Sequence, residues 1–269
     1  MLSLLVEQLP SQRLGVTRIG IGVATVVKAV TFLPVLLRLT QPEILRVPAF
    51  SWMPIPTDLL VWVLVGLWVI SGVMVTLGVR LGVSAPVLLA CLIFTMSLDQ
   101  QLYSNHLYLM TWLVLLLIVA DAGAGLALHG ESRPVVRWAV LLIPLQISIV
   151  YGFTAVTKIN PEFLSGEVLA GVLRDGLLTF PPSLVEPRIL SVVAAGAVLA
   201  EAFLAFALWS PRLRRVAYVV GFGLHGGITL FMEATAPLLV FSLLMFSTYP
   251  LFASVAGVST ARPVRSMTP

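Results

Sequence analysis

Lys28, His106, Lys158, Glu201 and His225 combine proton-transfer chemistry with strongly apolar surroundings. A lysine that has lost its proton is a general base, an imidazole carries protons near neutral pH, and a carboxylate can hold or return one. A free lysine, with a pKa of about 10.4, is almost wholly protonated at pH 7. An apolar pocket penalises that charged form and so favours the base. Ionisable groups within hydrocarbon are costly and mark functional sites or interhelical pairs. Each of these residues also has a structural reading. An isolated intramembrane histidine commonly hydrogen-bonds a neighbouring helix, and a lysine at a span end reaches for the interface. Glu201 is expected to pair with Lys28 or with an arginine. His129, in a loop beside Glu131, reads as solvated surface, and Trp52, Trp62, Trp138 and Trp209 fit interfacial belts.

The elements that must position these groups follow from composition. Of the 269 residues, 59% are hydrophobic and 10% are charged, against about 25% charged in soluble domains. A chain so depleted cannot cover a water-facing surface, so lipid is its main partner. A span needs about 20 predominantly apolar residues, and the segments 18–38, 58–79, 81–98, 102–122, 136–157, 189–210, 214–233 and 235–255 qualify. These long runs lack the alternation of barrel strands, which leaves helices as the way to satisfy the backbone in lipid. The expected fold is an all-α, polytopic integral membrane helical bundle of about eight transmembrane helices over residues 1–255, followed by a disordered cytoplasmic tail at 256–269. No cleavable signal peptide is expected, because the first apolar stretch continues as a full span. Cys91 is the single cysteine, which excludes an intrachain disulfide and a multi-cysteine metal site. No other metal-ligand cluster and no Gly-rich nucleotide loop is evident. The net charge of +4 is too small to argue for a nucleic-acid partner and reads as a topology signal.

Basic residues set the orientation. With the N-terminus inside, the cytoplasmic segments hold Arg13, Arg18, Arg80, Arg133, Arg137, Arg212, Arg214, Arg215, Arg262 and Arg265. The outer segments hold Arg38, Arg46, Lys158, Arg174 and Arg188. This bias places both termini in the cytoplasm, and 158–187 becomes the longest outer connection. At about 1.5 Å of rise per residue, His106 is expected about four residues inside the outer end of the fourth span, and His225 roughly 12 Å below the outer end of the seventh. Lys158 closes the outer end of the fifth. His106, Lys158 and His225 thus share the outer half of the membrane, as one site would require.

The segment LQISIVYGFTAVTKINPEFLSGEVL, residues 145–169, resembles the signature of vitamin K-dependent γ-glutamyl carboxylases and of the related bacterial HTTM (horizontally transferred transmembrane) family. The matching positions are Tyr151, Ala155, Lys158, Ile159, Asn160, Phe163 and Gly166. A second block, YSNHLYLMTWLVLLL at 103–117, is similar to the family's Asn-His-x-Tyr-Leu stretch through Asn105, His106, Tyr108 and Leu109. A third, LHGGITLFM at 224–232, looks like the family's histidine-containing span, preceded here by Glu201 and the RLRR loop at 212–215. The blocks occur in family order, and the resemblance covers roughly residues 12–255. The chain departs from the pattern in having Phe163 where a Trp is usual and Lys28 where the first span often carries an acidic residue. It also lacks, after its last span, the large luminal domain of the eukaryotic carboxylase.

The resemblance implies a membrane enzyme in which a lysine deprotonates a reduced quinone such as menaquinol or vitamin K hydroquinone. Oxygen then converts the quinol to a stronger base, glutamate loses a carbon-bound proton, and carbon dioxide is captured. By motif position, Lys158 would be the quinol base, with His106 and His225 as catalytic partners. Asn105, Tyr108, Tyr151, Asn160 and Phe163 would line the quinol and substrate, with Asn105 and Tyr151 offering hydrogen bonds to developing oxyanions. O2 and CO2 would be co-substrates, the acceptor would be a peptide or small molecule, and no metal is implied. The expected location is a bacterial plasma membrane, crossed several times. The alternative expectation is a non-catalytic membrane maturation or assembly factor that keeps the scaffold.

Overall fold

The computed structural model describes residues 2–128, 132–177, 185–232 and 235–255. His129, Glu131 and the 256–269 tail lie outside the described residues. In chain order the helices are α1 (Leu2–Leu5), α2 (Gln12–Arg38), α3 (Asp58–Leu77), α4 (Leu81–Leu98), α5 (Asn105–Val119), α6 (Arg137–Thr157), α7 (Pro161–Leu164), α8 (Glu167–Arg174), α9 (Pro187–Ala207), α10 (Arg214–Phe231) and α11 (Thr235–Val255). Long helices occupy every segment expected to span. Six of them, α2, α3, α4, α6, α9 and α11, have by themselves the length and apolarity to cross a membrane. The 15 residues of α5 rise about 22 Å, short of a hydrocarbon core of about 30 Å. α10 is 18 residues long and opens on Arg214 and Arg215. Large apolar side chains face outward, Leu199 being 70% exposed, Val219 72% and Phe206 78%. A surface of this kind needs lipid around it, and the chain is a multi-pass integral membrane protein.

Local chemistry sets the breaks between spans. The Thr57 hydroxyl caps α3 by accepting from the Leu60 N–H at 3.2 Å. Gly78, in the left-handed region at φ +73°, ends that helix with no Cβ penalty, and Arg80 starts the next. The joint at Arg80 therefore separates two helices. At the start of α5, Ser104 is the N-cap and accepts from the Leu107 N–H. The polar Ser104–Asn105 pair moves the start of the helix three residues beyond the start of the apolar run. His106 accordingly sits in the first turn of α5, at the rim of the bundle, and not four residues inside it.

Small residues let α2 pack at the centre. A Cβ on Gly22 would come within 2.3 Å of Thr76 Oγ1, and one on Gly72 within 2.8 Å of Thr25 Oγ1, which fixes the α2–α3 register. On the other flank, Thr17 Oγ1 donates to the Ser247 carbonyl of α11 at 2.7 Å. Arg18, counted above among the loop charges, is fully buried. It donates to the carbonyls of Val75 at 3.1 Å and Leu126 at 2.7 Å, tying the inner ends together. The same end carries a short β-ladder. There β1 (Gln8–Leu9) and β2 (Val135–Val136) pair antiparallel, with Gln8 opposite Val136. Glu7 and Arg137 form an ion pair at 2.6 Å beside this ladder. The outer connection after α6 carries the short helices α7 and α8, whose lengths are too small for periodicity to reveal. Gly166, at φ +82°, turns the chain between them and abuts the backbone of Leu190 and Ser191 in α9. In this way α7 and α8 are held over the outer part of α9.

Candidate active site

Lys158 is the C-cap of α6, and its side chain reaches α9. Lys158 Nζ donates to Glu201 Oε1 at 2.5 Å, with side-chain exposures of 30% and 8%. The Phe163 ring centroid lies 5.6 Å from the same ammonium, close enough for a cation–π attraction. The geometry of the turn is set by Asn160, whose Oδ1 accepts from the Phe163 N–H at 2.8 Å and whose Nδ2 donates to the Thr157 carbonyl at 2.9 Å.

Seven residues before Lys158, and so two turns along the same face of α6, lies the buried Tyr151. Its hydroxyl is 2.8 Å from His225 Nε2 on α10 and 2.6 Å from the Tyr249 hydroxyl on α11. Phe241 and Phe246 each place a ring centroid 5.5 Å from the His225 ring, and Thr229 donates to the His225 carbonyl at 2.8 Å. A hydroxyl donates only one proton, so the chain runs in one of two senses. Either Tyr249 donates to Tyr151 and Tyr151 to His225 Nε2, or the order is reversed. Reversal exchanges His225 Nδ1 between donor and acceptor, and that atom is buried without a hydrogen-bond partner. Glu201 Oε2 is likewise buried and unpartnered. The ion pair and the His225–Tyr151–Tyr249 chain are joined through α6, which carries both Lys158 and Tyr151. Four helices, α6, α9, α10 and α11, thus converge on one cluster of ionisable and phenolic side chains.

His106 does not join them. Its Nε2 lies 3.3 Å from Lys28 Nζ and 3.1 Å from Ser104 Oγ, and Lys28 stacks over the Phe32 ring at 3.7 Å. No hydrogen bond or ion pair among the described residues links this group to Lys158. The expected pairing of Lys28 with Glu201 is corrected, because Glu201 is held by Lys158. The depths expected from the sequence match Lys28 to Glu201 and set Lys158 at a span end, and the structure overturns them by bringing Glu201 of α9 level with the end of α6 that Lys158 caps. Of the remaining candidates, Phe163 and Tyr151 are in the cluster, whereas Asn160 is occupied as a helix cap. Asn105 accepts weakly from the Tyr103 hydroxyl at 3.5 Å, and Tyr108 is exposed between Tyr103 and Trp112.

Residues 7–256 match the HTTM domain. The chain belongs to the HTTM family. Comparison with curated proteins and with solved structures gave no match. Membership covers nearly the whole chain, so Lys158, Glu201, Tyr151, His225 and Tyr249 are all constituents of the HTTM domain. Tyr249 was not among the residues singled out from the sequence. Its signal is a phenol within the polar run Ser247-Thr248-Tyr249 of a mostly apolar helix, next to Pro250. The role of Glu201 as partner of Lys158 was also missed, because residue counting places Lys158 at a span end and Glu201 deep within its span.

Proposed function

We propose that this HTTM protein is a quinol-linked membrane enzyme of the carboxylase-like kind, with Lys158 as its base. The observation that carries the reading is the Lys158–Glu201 pair beside the buried His225–Tyr151–Tyr249 chain. In an apolar surrounding, a lysine and a carboxylic acid can exchange one proton within their hydrogen bond, so Glu201 supplies a resting place for the proton that a basic Lys158 must lose. Glu201 Oε2 and His225 Nδ1 are buried without partners, and each such atom costs about 1–3 kcal/mol until it is satisfied. A ligand carrying hydroxyls on a flat apolar ring fits that combination, because the rings of Phe163, Phe241 and Phe246 supply apolar walls. A bound quinol supplies an acidic O–H and, on oxidation by O2, the energy for removing a proton from carbon. Lys158 accepts the quinol proton, Glu201 restrains the ammonium that results, and His225 exchanges a proton through Tyr151 with Tyr249. A lipid-soluble quinol enters laterally from the bilayer, here read as a bacterial plasma membrane, and the acceptor is a peptide or small carbon acid.

The test is oxidation of menaquinol by purified protein in oxygenated nanodiscs, with products identified by mass spectrometry. Quinone epoxide formed by wild type and absent with Lys158→Ala supports the reading. Identical slow autoxidation by both proteins, with added glutamyl peptides making no difference, transfers the assignment to a non-catalytic assembly factor.

A further inference from the structure

We propose that the crevice between the outer halves of α3 and α4 binds one acyl chain of a phospholipid. Both helices have the length and apolarity to cross a membrane, and between them lies a cavity of about 680 Å3. Leu60, Leu64 and Leu67 line it from α3, and Val87, Cys91 and Phe94 from α4. Phe50 and Trp52 border it at the outer end, their rings stacked with centroids 5.3 Å apart. The segment that carries these rings is pinned to the end of α4. The Ala49 N–H donates to the Ser97 carbonyl at 3.0 Å, and the Gln100 N–H to the Val47 carbonyl at 2.8 Å. The crevice is thus a built part of the fold with a fixed rim.

An acyl chain is the occupant that the walls, the depth and the volume call for. Among the described residues no charged side chain lines the cavity, and its one serine, Ser97, donates its hydroxyl proton to the Ile93 carbonyl at 2.9 Å. A peptide backbone or a polar ring would lose its hydrogen bonds there. From Val87 to Ser97 the α4 wall rises about 15 Å, half of a hydrocarbon core of about 30 Å. The crevice is therefore one leaflet deep, the reach of an acyl chain whose headgroup stays at the outer interface. A helix about 10–12 Å in diameter takes about 5.4 Å of length per turn, so 680 Å3 holds fewer than two turns. The volume suits a single chain and is too small for a partner helix. Val63, Leu67 and Ile93 are exposed and leave the crevice open sideways to the bilayer. A chain entering from that side completes dispersion contacts that the walls otherwise lack. The site shares no residue with the Lys158 cluster and does not depend on its chemistry.

In the test, the full chain is reconstituted in phosphatidylcholine nanodiscs in which a fraction of the lipid carries a diazirine midway along one acyl chain. Adducts formed on irradiation are mapped by mass spectrometry. They are expected to concentrate on 60–67 and 87–97, well above those on the exposed α9 residues Leu199 and Phe206, which report ordinary lipid contact. Ala90 lines the crevice from an exposed position, and Ala90→Trp fills it. That variant is expected to lower the crevice adducts about tenfold, one decade of affinity, with the α9 adducts unchanged. Leu67→Trp fills the crevice from α3 and serves where Ala90→Trp fails to insert. Crevice adducts no more frequent than α9 adducts, or unchanged in both variants, would overturn the assignment. Displacement of the photolipid by menaquinone would overturn it in favour of a quinone tail, and a dimer whose interface protects 60–67 from labelling in favour of a second copy of the chain.

Discussion

Replacing Glu201 by Gln removes the carboxylate that faces Lys158 at 2.5 Å while keeping its shape. Removing one partner of a buried pair costs about 3–5 kcal/mol, because the other charge is left uncompensated. The Lys158 side chain is 30% exposed and can extend toward the interface, which places the cost at the lower end, about 3 kcal/mol. At about 1.4 kcal/mol per decade, that is roughly a hundredfold change in the folding equilibrium. Replacing both residues with apolar ones of similar volume is neutral or stabilising by up to about 4 kcal/mol. The double variant Lys158→Met/Glu201→Leu is therefore expected to be as stable as wild type, and against the single variants Lys158→Met and Glu201→Leu, each costing about 3 kcal/mol, the coupling is about 6 kcal/mol. Unfolding by SDS titration in bicelles, followed for wild type, both single variants and the double, measures that coupling. Additivity of the single changes to within about 0.5 kcal/mol would show that the pair is not formed.

Gly166→Ala is expected to destabilise the fold by at least about 1 kcal/mol, because a left-handed non-Gly residue is strained and the new Cβ would meet the backbone of Leu190 and Ser191 at 2.7–2.8 Å. Increased proteolysis of the 158–187 connection would register the loss of α7–α9 packing, and an unchanged cleavage rate would contradict it. Gly221→Ala would bring a Cβ to 2.1 Å from the Tyr249 hydroxyl, expelling that ring from Tyr151. Its melting temperature is expected to fall, and a Gly221→Ala/Tyr249→Phe double variant should recover part of the loss; no recovery would refute this contact.

The spans were legible because hydropathy is one-dimensional and lipid imposes it directly. Lys158, Tyr151 and Phe163 were legible because they lie together in one stretch of chain around the end of α6. The choice of partner for Glu201 was not, since counting residues along the spans sets Glu201 level with Lys28 and well below Lys158, and hydropathy says neither how far one helix is shifted along another nor which helices are neighbours. His106 was displaced from the expected cluster for the same reason, and its depth was misjudged because the hydroxyl of Ser104 sets where α5 begins. Tyr249 escaped notice because a single phenol in a mostly apolar helix looks the same in sequence whether it faces lipid or the core. Arg18 followed the positive-inside pattern while being buried against carbonyls, a case in which a topology signal also has a packing role.

The central claim is that Lys158 serves as a quinol base and that its pair with Glu201 poises it. The most direct measurement is quinone-epoxide formation from menaquinol by the Lys158→Met/Glu201→Leu variant, compared with wild type in the same oxygenated nanodiscs. The variant is expected to melt with wild type yet form no epoxide, which separates loss of chemistry from loss of fold. Epoxide formation at the wild-type rate by that variant would contradict it.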